Sequence, residues 1–301
     1  MINILELAEI CSKYGCKYSE KCLLNSYTTF KIGGECPIVI DVNSAECAAE
    51  LAKYLTKSGT RYTVLGKGSN IIASDKGYNG VILHLGSDFS DVAIDGTTIR
   101  AEAGASLAFV CRAAQENGLS GMENLYGIPG TVGGGLFMNA GAYGSEMKDV
   151  AVSAEYVDEN GEIRTMSAED MELSYRHSIF SEKNYIITAV TYELKKGDSE
   201  EIKAAMTECM KKRTSKQPLE YPSAGSTFKR PEGSYASLLI EQCGLKGMSV
   251  GGAEVSTKHS GFVINKGDAT CEDVLELCRR VKEIVLEKTG YSLELEPVIL
   301  E

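Results

Sequence analysis

The stretch that decides the fold is residues 127–144, which read GIPGTVGGGLFMNAGAYG. Seven of these residues are glycines, at positions 127, 130, 133, 134, 135, 141 and 144. Each glycine in a folded segment costs about 0.5–1 kcal/mol relative to alanine, because glycine loses more backbone freedom on folding. A loop with a purely structural role rarely needs so many. Close contact between bare backbone N–H groups and a pyrophosphate explains the composition better, so we predict that this stretch binds a dinucleotide.

A second glycine-rich segment lies upstream, at residues 65–71, LGKGSNI. A strand is expected to enter it, and its two glycines permit a turn that either holds a phosphate or simply reverses the chain. The spacing is neither that of a P-loop nor that of the G-x-G-x-x-G turn of the doubly wound fold. Together the two segments favour two small α+β lobes that hold a dinucleotide, with FAD a better candidate than NAD.

Composition narrows the class of protein. The chain has 301 residues and a formal net charge of −11. That length suggests about two domains, and the negative charge argues against binding to a nucleic-acid backbone, which needs basic surfaces. None of the ten cysteines lies in a CxxC pair. We therefore expect no metal site and mostly buried free thiols in a reducing compartment.

The N-terminal segment MINILELAEICSKYG has neither the basic start nor the long apolar centre of a secretory signal. No apolar run approaches the ~18 residues of a membrane span. We expect a cytoplasmic protein without a membrane partner.

Hydrophobic periodicity and capping residues predict the other elements. Helices are expected at residues 44–57, 106–117, 200–213, 235–243 and 270–288, with Ser44, Ser106 and Thr270 as N-caps. Strands are expected at residues 61–65, 81–85, 98–103, 151–157, 162–165, 185–194, 261–265 and 292–300. The best domain boundary is Lys195-Lys196-Gly197-Asp198.

Polar residues mark several candidate positions. Arg176, in the segment SYRHSIF, either binds a carboxylate through its planar guanidinium group or is an ordinary surface arginine. His84 lies in the apolar strand VILHL and is more typical of a sheet histidine than of a base. No G-x-S-x-G elbow occurs, so a hydrolase nucleophile is not expected. A basic run in this acidic chain is either a solvated helix end or a phosphate site; it comprises Lys211, Lys212, Arg213 and Lys216, followed by Lys229 and Arg230.

Several motifs in one order resemble the UDP-N-acetylenolpyruvoylglucosamine reductase family. They are NSYTTFKIGG, LGKGSN, GIPGTVGGGLFMNAGAYG, SYRHSIF, QPLEYPSAGSTFKRP and VSTKHSGFVIN, and they cover nearly the whole chain. The resemblance implies an α+β, two-lobed FAD-binding fold of the vanillyl-alcohol oxidase type with a C-terminal substrate domain. The implied ranges are lobe 1 at 1–85, lobe 2 at 86–196 and the substrate domain at 197–290, with a closing strand at 291–301 that can return to lobe 1.

The resemblance also implies which residues do the chemistry. Arg176, Ser226 and Glu296 stand at the family's catalytic positions: Arg176 and Glu296 stabilise the substrate carboxylate, and Ser226 donates a proton. Counting from the last helix selects Glu296 rather than Glu294. The implied FAD contacts are Gly66, Lys67, Gly68, Ser69, Asn70, Ile71, Ile128, Pro129, Gly130, Thr131, Gly133, Gly134, Gly141 and Ala142. The implied substrate contacts are Tyr143, Arg213, Lys229, Arg230 and His259.

The activity implied is the ping-pong reduction of UDP-N-acetylglucosamine enolpyruvate to UDP-N-acetylmuramate, with NADPH as co-substrate, in peptidoglycan precursor synthesis. That pathway links the protein to cell wall biogenesis, cell shape and cell division, and we expect a monomer. Pro297 and Val298 replace the apolar and basic residues that commonly follow the family's glutamate. Only Ser181 to Asn184 separates Phe180 from the next strand, as in the short type without a tyrosine lid. Two alternatives remain: an oxygen-using flavin oxidase and a non-catalytic nucleotide-binding regulator.

Overall fold

The computed structural model describes residues 2–301. The backbone contacts divide the chain into two compact units. Unit 1 comprises the chain up to Glu20, Ile38–Lys67 and Gly80–Lys212. Unit 2 comprises Lys21–Pro37, Gly68–Asn79 and Arg213–Glu301. The predicted boundary between lobes at residue 85 stays a prediction, since both predicted lobes contribute to unit 1.

Seven α-helices occur within residues 2–301. They are α1 (Ile4–Tyr14), α2 (Ala45–Ser58), α3 (Leu107–Glu116), α4 (Val132–Phe137), α5 (Ser199–Lys216), α6 (Ala236–Gln242) and α7 (Cys271–Thr289). Ser44 and Thr270 are N-caps as predicted, because their hydroxyls accept hydrogen bonds from the amides of Cys47 and Asp273. Asp273 completes a capping box, and Gly290 ends α7 in a left-handed conformation.

The strands are short and numbered in chain order. They are β1 (Lys17–Leu23), β2 (Glu35–Asp41), β3 (Tyr62–Leu65), β4 (Ile71–Ala73), β5 (Val81–His84), β6 (Val92–Asp95), β7 (Thr98–Glu102), β8 (Leu119–Ser120), β9 (Gly141–Ala142), β10 (Ser145–Glu146), β11 (Ala151–Val157), β12 (Ile163–Ser167), β13 (Ile186–Glu193), β14 (Lys195–Lys196), β15 (Ser249–Val250), β16 (Ala253–Val255), β17 (Val263–Asn265) and β18 (Val298–Leu300).

Unit 1 is built on two sheets. One has the order β1-β2-β5-β3, in which β2 and β3 pair parallel with β5. The other is antiparallel, with the order β12-β11-β13-β7-β6. One continuous apolar core joins both sheets to helices α1, α2 and α3. His84 ends β5 with its Nδ1 2.6 Å from Asp41 Oδ1, which confirms a sheet histidine with a carboxylate partner.

Unit 2 has its own apolar core beneath α6 and α7, formed with Phe30, Ile72 and the sheet β15-β16-β17. Strand β18 pairs parallel with β4, with Val298 opposite Ile71 and Leu300 opposite Ala73. Residues that are far apart in sequence therefore complete one small unit. No helix within residues 2–301 has both the length and the apolar character that crossing a membrane requires.

Three predicted elements differ from the structure. Ser106 makes no side-chain cap; it forms a backbone bridge with Thr131 instead. The polar helix α5 continues to Lys216 rather than ending at residue 213. The predicted strand at 292–300 is regular only at 298–300, because Leu295 forms an isolated bridge with Phe228 and not a longer ladder.

Candidate active site

The first predicted glycine-rich segment contacts the second at Thr131, within unit 1. A Cβ atom at Gly66 would lie 3.3 Å from Thr131 Cγ2 and would collide with Thr131 Oγ1. Thr131 is buried and is the N-cap of α4, where its Oγ1 accepts a hydrogen bond from Gly134 N at 3.3 Å. Gly66 must therefore lack a side chain because the second segment occupies its space. The predicted meeting of the two segments is confirmed for Gly66 and Thr131.

The three consecutive glycines of α4 face different surroundings. A Cβ at Gly133 would lie 2.9 Å from Ala103 Cβ, and a Cβ at Gly135 would lie 2.9 Å from Leu107 Cδ1, so both positions require glycine for packing. Gly134 is exposed, and a Cβ there would meet only Thr131 Oγ1, at 3.4 Å. Packing therefore does not explain glycine at Gly134. An exposed backbone that a charged phosphate can approach does explain it, so these residues fit FAD.

Tyr143 lies in a two-residue turn between β9 and β10, where Tyr143 and Gly144 have φ of 53° and 89°. Positive φ at both central positions is the geometry of a tight hairpin turn, and it is unfavourable for a tyrosine. Its side chain is 44% exposed. Strain at an exposed aromatic residue supports a functional reason for tyrosine at this position.

Arg176 lies in a second two-residue turn of unit 1. Ser174 and His177 exchange both backbone hydrogen bonds, at 3.1 and 3.2 Å, and leave Tyr175 and Arg176 at the tip. Arg176 has a φ of 56°. Its guanidinium carbon lies 5.2 Å from the centre of the Tyr175 ring, which is within cation–π range. The turn therefore presents a guanidinium on a constrained backbone.

Unit 2 holds the rest of the first glycine-rich segment. A Cβ at Gly68 would collide with Tyr27 O and lie 2.9 Å from Thr28 Cα, so this glycine permits close packing. Asn70 links two chain segments: its Nδ2 donates to Glu296 O at 3.3 Å, and its carbonyl accepts from Val298 N at 2.9 Å. Asn70 therefore ties the backbone of Glu296 to the glycine-rich segment.

The structure brings Ser226 and Glu296 together. Glu296 N donates to the carbonyl of Thr227, the residue after Ser226, at 3.0 Å. Thr227 is itself fixed, because its N donates to Gly261 O at 2.8 Å and its Oγ1 accepts from Val263 N at 2.8 Å. Both Ser226 and Glu296 are half-buried. The hydrogen-bonded backbones therefore place Ser226 and Glu296 on adjacent segments of unit 2.

Two predicted substrate contacts of unit 2, Lys229 and His259, are linked by hydrogen bonds to the segments that carry this pair. Lys229 N donates to Glu294 O at 2.9 Å, and its Nζ lies 3.6 Å from Glu294 Oε2. His259 Nδ1 accepts from Gly261 N at 3.1 Å, and burial lowers the pKa of this imidazole. Arg230 stacks 4.6 Å from the Tyr235 ring. Arg213 is only 9% exposed, whereas Lys211, Lys212 and Lys216 are exposed. Of the two interpretations of this basic run, a solvated helix end therefore fits the three lysines but not Arg213.

Comparison with known proteins decides the family. Residues 37–167 match the FAD binding domain family, and residues 217–300 match the C-terminal domain of UDP-N-acetylenolpyruvoylglucosamine reductase. A curated UDP-N-acetylenolpyruvoylglucosamine reductase from Caldanaerobacter subterraneus subsp. tengcongensis is 48% identical over 90% of this chain and 89% of its own. The chain belongs to the UDP-N-acetylenolpyruvoylglucosamine reductase family.

Further relatives support the same family. The reductase of Clostridium novyi is 45% identical over 91% of this chain and 89% of its own. The crystal structure of UDP-N-acetylenolpyruvylglucosamine reductase from Thermus caldophilus superposes with a TM-score of 0.83 at 35% identity, covering 95% of this chain and all of that one. These findings confirm the family, the α+β class and FAD as the cofactor.

The individual predicted site residues fall into two groups. Unit 1 holds Gly66, Lys67, Ile128, Pro129, Gly130, Thr131, Gly133, Gly134, Gly141, Ala142, Tyr143 and Arg176, and unit 2 holds Gly68, Ser69, Asn70, Ile71, Arg213, Ser226, Lys229, Arg230, His259 and Glu296. Their roles toward FAD and substrate stay predictions. Sequence reasoning gave no role to Asn139, although a polar residue inside an otherwise apolar and glycine-rich stretch was a visible signal.

Proposed function

We propose that this protein catalyses the NADPH-dependent reduction of UDP-N-acetylglucosamine enolpyruvate to UDP-N-acetylmuramate, with FAD as the redox cofactor. Its place is then in peptidoglycan precursor synthesis in the cytoplasm, and it acts as a monomer without a nucleic-acid or membrane partner. Family membership supports the reaction.

One observation carries the mechanism: the backbone of Glu296 pairs with Thr227, directly beside Ser226. Reduction of an enolpyruvyl double bond places negative charge on the carbon next to the carboxylate. A proton must then reach that carbon. A hydroxyl and a carboxyl group on adjacent, hydrogen-bonded backbones are suited to that step.

Each residue has a distinct task in this proposal. Ser226 Oγ delivers its proton to the carbanionic carbon. Glu296, acting through a proton on its carboxyl group, donates a hydrogen bond to the enolate-like carboxylate. Arg176 has a planar guanidinium group that is suited to binding a substrate carboxylate. FAD, when bound, would supply the hydride chemistry, and the backbone around Gly66, Thr131 and Gly134 would hold it.

The decisive experiment separates the two half-reactions by stopped-flow absorbance of the flavin. Ser226→Ala leaves flavin reduction by NADPH nearly unchanged, because Ser226 has no part in it. Reoxidation by UDP-N-acetylglucosamine enolpyruvate slows by roughly 10²–10⁴-fold, the usual size of a lost proton transfer. The matched control is Ser223→Ala, a half-buried serine of the same segment whose hydroxyl accepts a long 3.4 Å bond from Gly225 N.

The wild-type protein tests the function itself. It must be yellow, oxidise NADPH and then pass the electrons to the enolpyruvyl substrate. An equal loss of both half-reactions in Ser226→Ala would remove Ser226 as proton donor. A wild-type flavin that the enolpyruvate cannot reoxidise would refute the proposed reaction.

A further inference from the structure

Asn139 is a completely buried polar residue within the glycine-rich stretch. Its side chain is 0% exposed, and its backbone is left-handed with a φ of 40°. Its Nδ2 donates to Glu146 Oε2 and to Ser174 O, both at 2.9 Å. Its Oδ1 accepts from Lys148 N at 3.0 Å. Both amide hydrogens and the amide oxygen are therefore used, and the bonds reach two separate parts of unit 1, residues 146–148 and Ser174.

One of these bonds reaches the turn that carries Arg176. Ser174 is the first residue of that turn, and its carbonyl accepts from His177 N as well as from Asn139. Just beyond the turn, Ser178 Oγ donates to Phe137 O at 2.7 Å. The segment 137–139 therefore holds the Arg176 turn at both ends, and Asn139 makes the contact nearest the tip.

A second bond reaches a carboxylate that interacts with Arg176. Lys148, then Asn139, and then the charge of Arg176 all lower the pKa of Glu146. Lys148 Nζ lies 2.9 Å from the Glu146 oxygen that Asn139 also binds. Asn139 thus contacts both the backbone of the Arg176 turn and the anion that acts on the Arg176 charge.

The chemistry of this position selects asparagine. Two donors and one acceptor on a short side chain match the three partners, and asparagine tolerates the left-handed backbone better than most residues do. Aspartate has the same shape but would direct an oxygen toward the Glu146 carboxylate and the Ser174 carbonyl. Alanine would leave the Ser174 carbonyl and the Glu146 carboxylate each short of one donor.

We propose that Asn139 is a positioning residue for Arg176, which it orients through the Ser174 carbonyl. The inference rests on the proposed function for the role of Arg176 toward the substrate carboxylate. The placement of the turn itself is independent of any substrate. A misplacement of about 1 Å in a catalytic group can reduce the rate about 100-fold.

The first test needs no substrate. Hydrogen–deuterium exchange on the FAD-loaded protein should show faster exchange for the peptide around Tyr175 and Arg176 in Asn139→Ala than in the wild type, with the segment around Thr131 unchanged. The matched control is Asn124→Ala, a half-buried asparagine of unit 1 whose Nδ2 binds Ser145 Oγ at 3.0 Å. It should leave the Arg176 peptide as in the wild type.

The second test uses a double-mutant cycle. Asn139→Ala should slow reoxidation by the enolpyruvate about 10- to 100-fold, with flavin reduction by NADPH preserved. In an Arg176→Ala background the same change should cost almost nothing, because its effect passes through Arg176. A merely structural role would instead give additive losses and would slow both half-reactions. Asn139→Asp, of equal shape, covers the case in which the alanine variant does not fold, and should show the same pattern.

The outcomes are distinct. Unchanged exchange at the Arg176 peptide, or additive losses in the cycle, would overturn the positioning role. Faster exchange together with a wild-type protein that does not reduce the enolpyruvate would uphold the positioning role and refute the proposed function.

Discussion

Replacing Gly134 with alanine should strengthen the fold and weaken the binding of FAD. Gly134 is exposed in the first turn of α4, and the new methyl group would meet only Thr131 Oγ1, at 3.4 Å. The backbone is not left-handed there, so alanine fits without strain. Fewer conformations in the unfolded chain should raise the free energy of unfolding of the FAD-free protein by about 0.4–1 kcal/mol.

The same methyl group should obstruct the cofactor. If a phosphate oxygen comes within hydrogen-bond distance of this backbone, the extra carbon overpacks the contact by about 1–3 kcal/mol. That loss corresponds to a rise in the dissociation constant of FAD of about 5- to 150-fold. The two effects have opposite signs, and general damage to the fold cannot produce both.

Two measurements on the FAD-free protein check this prediction. Urea unfolding followed by circular dichroism gives the stability, and quenching of flavin fluorescence on titration gives the affinity. Gly133→Ala is the contrast, because its Cβ would lie 2.9 Å from Ala103 Cβ and 3.3 Å from Ala103 O. It should destabilise the fold by about 1–3 kcal/mol. Unaltered FAD affinity in Gly134→Ala would show that no phosphate approaches this amide.

Two further predictions concern carboxylates. Glu296→Ala removes the proposed hydrogen-bond donor and should slow flavin reoxidation by the enolpyruvate at least about 10-fold while sparing reduction by NADPH. Glu294→Ala, at a side chain that is 75% exposed and paired with Lys229, should change neither; equal behaviour of the two variants on stopped-flow would remove Glu296 from the mechanism. Asp158→Asn should lower stability at neutral pH by about 1–3 kcal/mol, since Asp158 accepts from the Arg164 side chain at 2.6 Å and from two backbone amides. Because Arg164 and those amides lower the pKa of Asp158 in the folded state, its stabilisation is present above the unfolded pKa of about 4 and is lost as the pH falls further. The difference between wild type and variant in urea unfolding should therefore shrink from about pH 5 to about pH 3, and a constant difference would contradict this assignment.

Local signals in the sequence predicted local structure well. Thr270 and Gly290 bound α7 as expected, because cap and stop residues act through bonds to their own helix. The family motifs gave the cofactor and the class of fold. They also led to Ser226 and Glu296, whose segments pair in unit 2.

Features set by contacts between distant segments were not predictable in the same way. Ser106 precedes a helix as a cap would, yet its backbone bridges to Thr131 and its hydroxyl makes no cap. The family resemblance implied that both Gly133 and Gly134 contact the cofactor. Close packing against Ala103 is by itself enough to explain a glycine at position 133. Asn139 lies within the glycine-rich motif of residues 127–144, but its three partners lie at residues 146, 148 and 174, and nothing in a single sequence connects those positions.

The parallel pairing of β18 with β4 has a consequence for how the protein is made. Unit 2 draws on three separate segments, Lys21–Pro37, Gly68–Asn79 and Arg213–Glu301, and Leu300 O accepts from Ser74 N at 2.8 Å. At a synthesis rate of about 5–20 residues per second, the ribosome needs roughly 10–45 s to pass from one strand of this pair to the other. During that interval β4 lacks the strand with which it pairs in the folded protein. Chaperone protection during translation would therefore matter most for the polypeptide around residues 68–79.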